Sequence, residues 1–146
     1  MKTFKGRVIV PGSVKAEVLV TKSGFNTLAS FQKSMMFGHK EAKCSDQNNP
    51  ELFGKPMQSR VLCLPQTIGS TTGGMVLYAA TKMERQAACF LFSQKIDSLA
   101  AAGTILSAVW TNTTVPTIDC LGSEFLDYVK SGMLVTVEED GTVTVD

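Results

Sequence analysis

Apolar and polar residues alternate at both ends of the chain, and apolar residues recur at helical spacing between them. Residues 4–10 (Phe-Lys-Gly-Arg-Val-Ile-Val) and 15–21 (Lys-Ala-Glu-Val-Leu-Val-Thr) are β-rich runs joined through Pro11-Gly12-Ser13, a turn signal. At the other end, Leu134–Val137 and Thr142–Val145 flank Asp140-Gly141, a pair suited to a tight hairpin because glycine accepts the positive φ such turns require. In the centre, Val61–Leu64 is a short continuous apolar run, closed by Pro65, which cannot donate to a ladder. After a loop from Gln66 to Gly74, the stripe Val76, Ala79, Ala80 and Met83 predicts a helix over 74–86. A second strand is predicted at 88–92. Asp97 can cap a helix with an apolar face of Leu99, Ala100, Gly103, Leu106 and Trp110, and residues 115–118 form a short strand. Ser123 can cap a helix carrying Phe125, Leu126 and Val129, with Gly132 as its C-cap glycine. Strands alternating with helices between terminal hairpins predict an α/β fold over residues 1–146, with a mixed central sheet and flanking helices.

Residues 22–59 break this regularity. Phe25, Leu28, Phe31, Met35, Met36 and Phe37 supply apolar anchors, and residues 46–50 (Asp-Gln-Asn-Asn-Pro) are polar turn chemistry. A segment this long without clear periodicity is functional or mobile. Its portion 38–49 is expected to be the least ordered part of the chain.

Composition narrows the functional classes. The chain has 146 residues with 44% apolar content, enough for one domain with a substantial core. Charged residues make up 18%, against roughly 25% in typical soluble domains, which hints at a surface partly covered by another chain. A net charge of +1 gives no basic footprint for nucleic acid or an anionic membrane, and no apolar stretch is long enough to span a bilayer. The four cysteines, Cys44, Cys63, Cys89 and Cys120, have no C-x-x-C spacing, and with a single histidine no metal ligand set is expected. The opening Met-Lys-Thr-Phe-Lys lacks an apolar signal core, so a cytoplasmic location is expected.

The chemically suggestive stretch is the loop between Val61–Leu64 and the following helix. A helix start leaves backbone N–H groups unpaired and carries partial positive charge. Hydroxyls and glycines there form either a capped turn with no further role or a seat for an anion or a serine alkoxide. Ser70 is the candidate catalytic residue; Gly69, Thr71, Thr72 and Gly73 are candidates for substrate contact. Arg60 can pair with a carboxylate through its guanidinium fork, or serve as a surface residue. Asp97 reads first as a helix cap, with lining the site as the second reading. His39 reads as a loop histidine. Trp110 and the Met35-Met36-Phe37 cluster read as core or subunit contact. The loop is neither a P-loop, since no lysine follows Gly73 or Gly74, nor a G-x-S-x-G elbow, since Ile68 stands at the first glycine position.

Taken in order, Phe4-Lys5-Gly6-Arg7, Glu17-Val18-Leu19-Val20, Asn49-Pro50-Glu51-Leu52-Phe53-Gly54, Arg60-Val61-Leu62, Leu64-Pro65, Gly69-Ser70-Thr71, Asp97, Ala102-Gly103, Val115-Pro116 and Ser131-Gly132 resemble the small swivelling domain of the aconitase X family in its two-subunit form. The resemblance covers nearly the whole chain. It implies a hydro-lyase subunit acting on a hydroxy acid such as a hydroxyproline or phosphomevalonate. It also implies a large-subunit partner that carries an iron–sulfur cluster, no cofactor in this chain, and a serine proton acceptor at the position of Ser70. The alternative is a non-catalytic binding or regulatory module that keeps the fold and binds a small anion at residues 69–74.

Overall fold

Three strands are buried along their whole length: β5 (Val61–Leu64), β7 (Cys89–Phe92) and β8 (Thr117–Asp119). Strands covered on both faces carry continuous apolar runs, and here parallel pairing requires the crossovers that cover them. β3 (Val14–Val20) pairs parallel with β5, β5 with β7, and β7 with β8. The order advances in one direction, so right-handed crossovers place all three connecting helices on one face. These are α1 (Thr27–Phe37), α2 (Gly73–Lys82) and α3 (Ser98–Trp110). The computed structural model describes residues 1–38, 40–69 and 72–146.

The remaining strands fold back over the other face. β1 (Lys2–Lys5), β10 (Thr142–Val145) and β9 (Leu134–Val137) run antiparallel in that order, and β9 pairs with the first half of β3. The seven-residue β3 therefore belongs to both halves: Val14 to Glu17 pair with β9, and Val18 to Val20 with β5. At the far edge β2 (Arg7–Val10) pairs antiparallel with β8. The sheet order is β1-β10-β9-β3-β5-β7-β8-β2, so its two edges are consecutive in sequence, separated by Gly6. The sheet nearly closes on itself. A Cβ on Gly6 would stand 2.5 Å from the Asp119 carbonyl oxygen, which is why only glycine fits at the closure.

Alternation along the buried strands divides the interior into two cores. Leu62, Leu64, Phe90 and Phe92 face the helices together with Phe25, Phe31, Leu52 and Met57. Val61, Cys63, Cys89, Leu91 and Ile118 face the inside of the closed sheet, with Val135, Val137, Val143, Val145 and, from α4 (Ser123–Tyr128), Phe125. Each fully buried Phe or Leu contributes roughly 1.5–3 kcal/mol relative to exposure.

Segment 22–59 differs from the expectation. It opens with β4 (Phe25–Asn26) and α1, and its remainder packs into the helix-side core through Ala42, Cys44, Leu52 and Met57. Backbone bonds hold it: Cys44 N–H to Lys55 O at 2.9 Å, Ser45 N–H to Ser30 O at 3.0 Å, and Met57 N–H to Ala42 O at 3.1 Å. Periodicity failed because the buried face of α1 is Thr27, Ser30, Phe31 and Ser34, largely small polar residues. The same holds in α3, whose buried residues are Ala100, Gly103, Thr104 and Ser107, while Leu99 and Trp110 are exposed. Hydroxyls there bond back to the helix, as Ser107 Oγ does to Gly103 O at 2.8 Å. Gly132 does not cap α4, which ends at Tyr128; it takes φ +95° in the turn before β9. Ser123 is the first residue of α4, with Gly122 at the N-cap. The two N-terminal runs do not pair with each other, because β2 joins β8 and β3 joins β9. The C-terminal hairpin over Asp140-Gly141 is present.

Two contacts fix the helix layer. α2 and α3 touch through backbone: a Cβ on Gly74 would stand 2.2 Å from Leu99 O, and one on Gly103 2.4 Å from Gly74 O. Beside them, the fully buried Asp119 receives Arg7 Nε at 2.9 Å, Arg7 Nη2 at 2.6 Å and the Ile96 N–H at 2.8 Å. Burial pushes the Asp119 carboxyl up, but the Arg7 fork and the Ile96 N–H outweigh it and hold the group below its usual range.

Gly103→Ala is expected to force α2 and α3 apart. Overpacking of this kind costs about 1–3 kcal/mol, against the roughly 1 kcal/mol that alanine gains in helix propensity; a lowered urea midpoint measures the net loss. Because the folded pKa of Asp119 lies below the unfolded value of about 3.9, its contribution is complete above that pH. It is lost as pH falls from there through the folded pKa. Asp119→Asn should flatten the acid limb of a stability–pH curve and cost about 2 kcal/mol at neutral pH, read by urea denaturation across pH 2–7.

Candidate functional site

The carboxyl ends of β3, β5 and β7 lie together, and the chain leaves each of them toward a helix. Ligands of open α/β sheets bind in this place. After β3 the chain forms β4, and after β5 it forms β6 (Thr67–Ile68); these short strands pair in parallel, Phe25 opposite Thr67 and Asn26 opposite Ile68. The Phe25 N–H donates to Gln66 O at 2.8 Å. Proximity of β4 to β6 thus brings the N-terminus of α1 beside that of α2, and the Gly74–Gly103 contact brings α3 alongside.

A pocket of about 220 Å³ opens between the three helix starts, lined by Thr27, Thr67, Ile68, Gly69, Gly73, Asp97, Leu99 and Ala100. Two of the starts are closed by their own side chains. Asn26 Oδ1 accepts the Ala29 N–H at 3.0 Å, and Asp97 Oδ2 accepts the Ala100 N–H at 3.0 Å. Asp97 Oδ1 also accepts a hydrogen bond from Thr67 Oγ1, tying β6 to α3. The start of α2 has no side-chain cap among the described residues. Gly69 takes φ +103°, the left-handed region, and a Cβ there would press against the Asn26 amide at 3.0 Å.

The sequence-predicted residues fall into three groups. Gly69 and Gly73 line the pocket, and Thr72 stands at the N-cap of α2. Ser70 and Thr71, like His39, lie outside the described residues. Arg60 is not brought to the pocket: it precedes β5, at the end opposite the loop, where its Nε is 3.7 Å from Glu17 Oε2. Asp97 both caps α3 and lines the pocket, joining the two readings of its sequence. Asn26, Thr27 and Thr67 were not singled out by sequence reasoning. An N-cap asparagine ahead of Leu28, Phe31 and Met35, at i, i+3 and i+7, was the signal for the first two.

The rim of the pocket is apolar. Ile68 and Leu99 are 49% and 44% exposed; Met75 in the first turn of α2 and Val109 and Trp110 at the end of α3 are exposed as well. Met36 and Phe37 are likewise exposed. Burial pushes the thiols of Cys44, Cys63 and Cys89 up, keeping them protonated. Among the described residues no group of three or more His, Cys, Asp or Glu is placed to hold a metal ion. An iron–sulfur cluster, which needs several converging thiolates, does not fit the donors that the described residues place together. No helix among the described residues is long and apolar enough to cross a membrane.

Comparison with known proteins agrees with this geometry. The phosphomevalonate dehydratase small subunit of Methanosarcina mazei is 28% identical over 134 residues, covering 92% of this chain and 83% of that one. The corresponding subunit of Thermococcus kodakarensis is 25% identical over 137 residues, covering 94% and 90%. The crystal structure of aconitase X from Thermococcus kodakaraensis in its holo form superposes with a TM-score of 0.82 at 25% identity, covering 100% of this chain and 99% of that chain. Residues 3–145 match the family described as the aconitase X swivel domain, and the chain belongs to that family.

Proposed function

We propose that this chain is the small, swivelling subunit of a two-subunit aconitase X-type hydro-lyase that dehydrates a hydroxy acid, with Ser70 as the proton acceptor. One observation carries the reading: Gly69 and Gly73, on either side of Ser70 and Thr71, line the pocket where three helices start. A serine is a poor base in water. The partial positive charge of the α2 start favours its alkoxide, and exclusion of water strengthens that effect. Thr71, Thr72, Gly69 and Gly73 are assigned to substrate contact, with the glycines allowing close backbone approach. Arg60, remote from the pocket, is assigned a contact only with substrate or partner groups brought by the large subunit.

The exposed Ile68 and Leu99 rim fits a site that a second chain closes. The relatives named as phosphomevalonate dehydratase small subunits support a dehydratase role, with phosphomevalonate as the first substrate to test and hydroxyprolines as the second. We place the iron–sulfur cluster on the large subunit and the complex in the cytoplasm.

Co-expression with the large subunit under anaerobic conditions, followed by assay on phosphomevalonate and hydroxyprolines, tests the activity. Ser70→Ala in the assembled enzyme is expected to lower kcat by roughly 10²–10⁴-fold with assembly intact. Near-normal turnover would move the base to the partner. Thr72→Ala should cost less and act mainly on KM. The isolated chain should purify colourless and without stoichiometric iron; tightly bound iron at one equivalent, measured by elemental analysis, would overturn the placement of the cluster.

A further inference from the structure

A second pocket lies at the opposite end of the parallel sheet, where the chain enters the strands. Gln58 precedes β5, Arg85 and Gln86 precede β7, and Thr113 precedes β8; with Lys40 and Glu84 they line a cavity of about 360 Å³. Two of these side chains carry an unmet polar atom: Arg85 Nε and Gln86 Oε1 are covered from water and have no hydrogen-bond partner among the described residues. The terminal nitrogens of Arg85 meet only backbone carbonyls, Nη1 donating to Met83 O at 2.9 Å and Nη2 to Gly38 O at 3.3 Å. No described carboxylate stands within ion-pair distance of the guanidinium, so its charge is not neutralised. Lys40 and Glu84, both exposed, form no ion pair among the described residues either. The backbone here is strained as well. Glu84 takes φ +60°, and Ser59, whose N–H donates to Gln86 O at 3.2 Å, takes φ +62°. Non-glycine residues in the left-handed region are costly and concentrate where ligands bind.

We infer that this pocket is a binding site for a small α-amino acid, separate from the cavity at the helix starts. The Nε edge of the Arg85 guanidinium is the side-on fork that matches a carboxylate, and Lys40 adds positive charge to the same pocket. Gln86 Oε1 requires a donor, which a carboxylate cannot supply; an ammonium on the adjacent carbon supplies it. Glu84 gives that ammonium an opposite charge. Two cations, one anion and an unmet acceptor thus complement a zwitterion better than a simple anion. On binding, the Arg85 and Gln86 side chains turn their covered atoms into the cavity, and the ligand meets both groups whose burial is otherwise unfavourable. The inference lies outside the dehydratase reading. No residue of the serine loop takes part, and the pocket sits at the amino ends of strands whose carboxyl ends carry that loop.

The test is an amide-resolved NMR titration of the full chain, at constant ionic strength, with L-alanine, L-lactate and propionate. These share one carbon skeleton and carry an ammonium, a hydroxyl or neither beside the carboxylate. L-Alanine is expected to give saturable shifts at the amides of Glu84, Arg85, Gln86 and Thr113, with half-saturation in the millimolar range, L-lactate to bind more weakly and propionate most weakly. Arg85→Lys, which keeps the charge and removes the fork, should weaken L-alanine binding about tenfold or more. Glu84→Gln, a change at an exposed side chain that leaves the fold intact, should weaken it about two- to fivefold and leave propionate unaffected. Absence of saturable shifts up to about 100 mM overturns the inference, as does L-lactate or propionate binding as tightly as L-alanine, or unchanged L-alanine binding by Glu84→Gln. The titration reads this pocket alone, so its failure leaves the dehydratase reading standing, and an inactive assembled complex leaves this site standing.

Discussion

The contact between Gly74 and Gly103 sets the geometry on which the candidate site depends. With backbone against backbone, α2 and α3 lie closer than any pair of side chains would allow, and their starts share one pocket. That spacing lets Asp97 cap α3 and still accept the Thr67 hydroxyl from β6. Through β6 the constraint passes to β4, and through Asn26 to the start of α1. Gly69 and Gly73 thus stand between elements from distant parts of the chain.

Beneath the site, two cores separated by one sheet divide the work. The inner core closes the sheet on itself, with Gly6 at the seam and valines of β9 and β10 alternating inward. The outer core carries the helices and hence the pocket. Asp119 couples the two: it joins β2 to β8 through Arg7 and holds the Ile96 N–H on the approach to α3. A carboxylate so enclosed is stable only while its partners stay in place, so the seam of the sheet and the start of α3 are tied to the same ion pair.

The strands and the middle helices were legible in the sequence because their signals are local. Val61–Leu64 is apolar throughout since both faces are covered, and Asp140-Gly141 marks its hairpin by turn chemistry alone. Helix α1 was not legible, because close packing against α2 and the residues around Ser45 selects Thr27, Ser30 and Ser34 for its buried face, and small hydroxyl residues leave no apolar stripe. For the same reason Leu99 and Trp110, read as the inner face of α3, are outside. The pairing of β2 with β8 is a long-range choice that a Pro-Gly-Ser turn cannot reveal. At the site, the Gly69–Gly73 loop could be found from its composition, whereas Thr27 and Thr67 acquire meaning only once β4 and β6 pair. Arg60 shares sequence proximity with the loop but not space, because β5 carries the chain away from it.

One position on the pocket wall escapes the tight packing around it. At Gly74 and Gly103 a methyl group collides with backbone, and at Gly69 the left-handed φ already penalises one. At Gly73, among the described residues, a Cβ would meet only Thr27, at the ordinary contact distance of 3.8 Å. Glycine and alanine codons differ by a single nucleotide, so one point mutation at residue 73 adds a methyl group to the cavity wall at a distance Thr27 tolerates. A step that reshapes the cavity is accessible here, while the neighbouring glycines are held in place by the architecture itself.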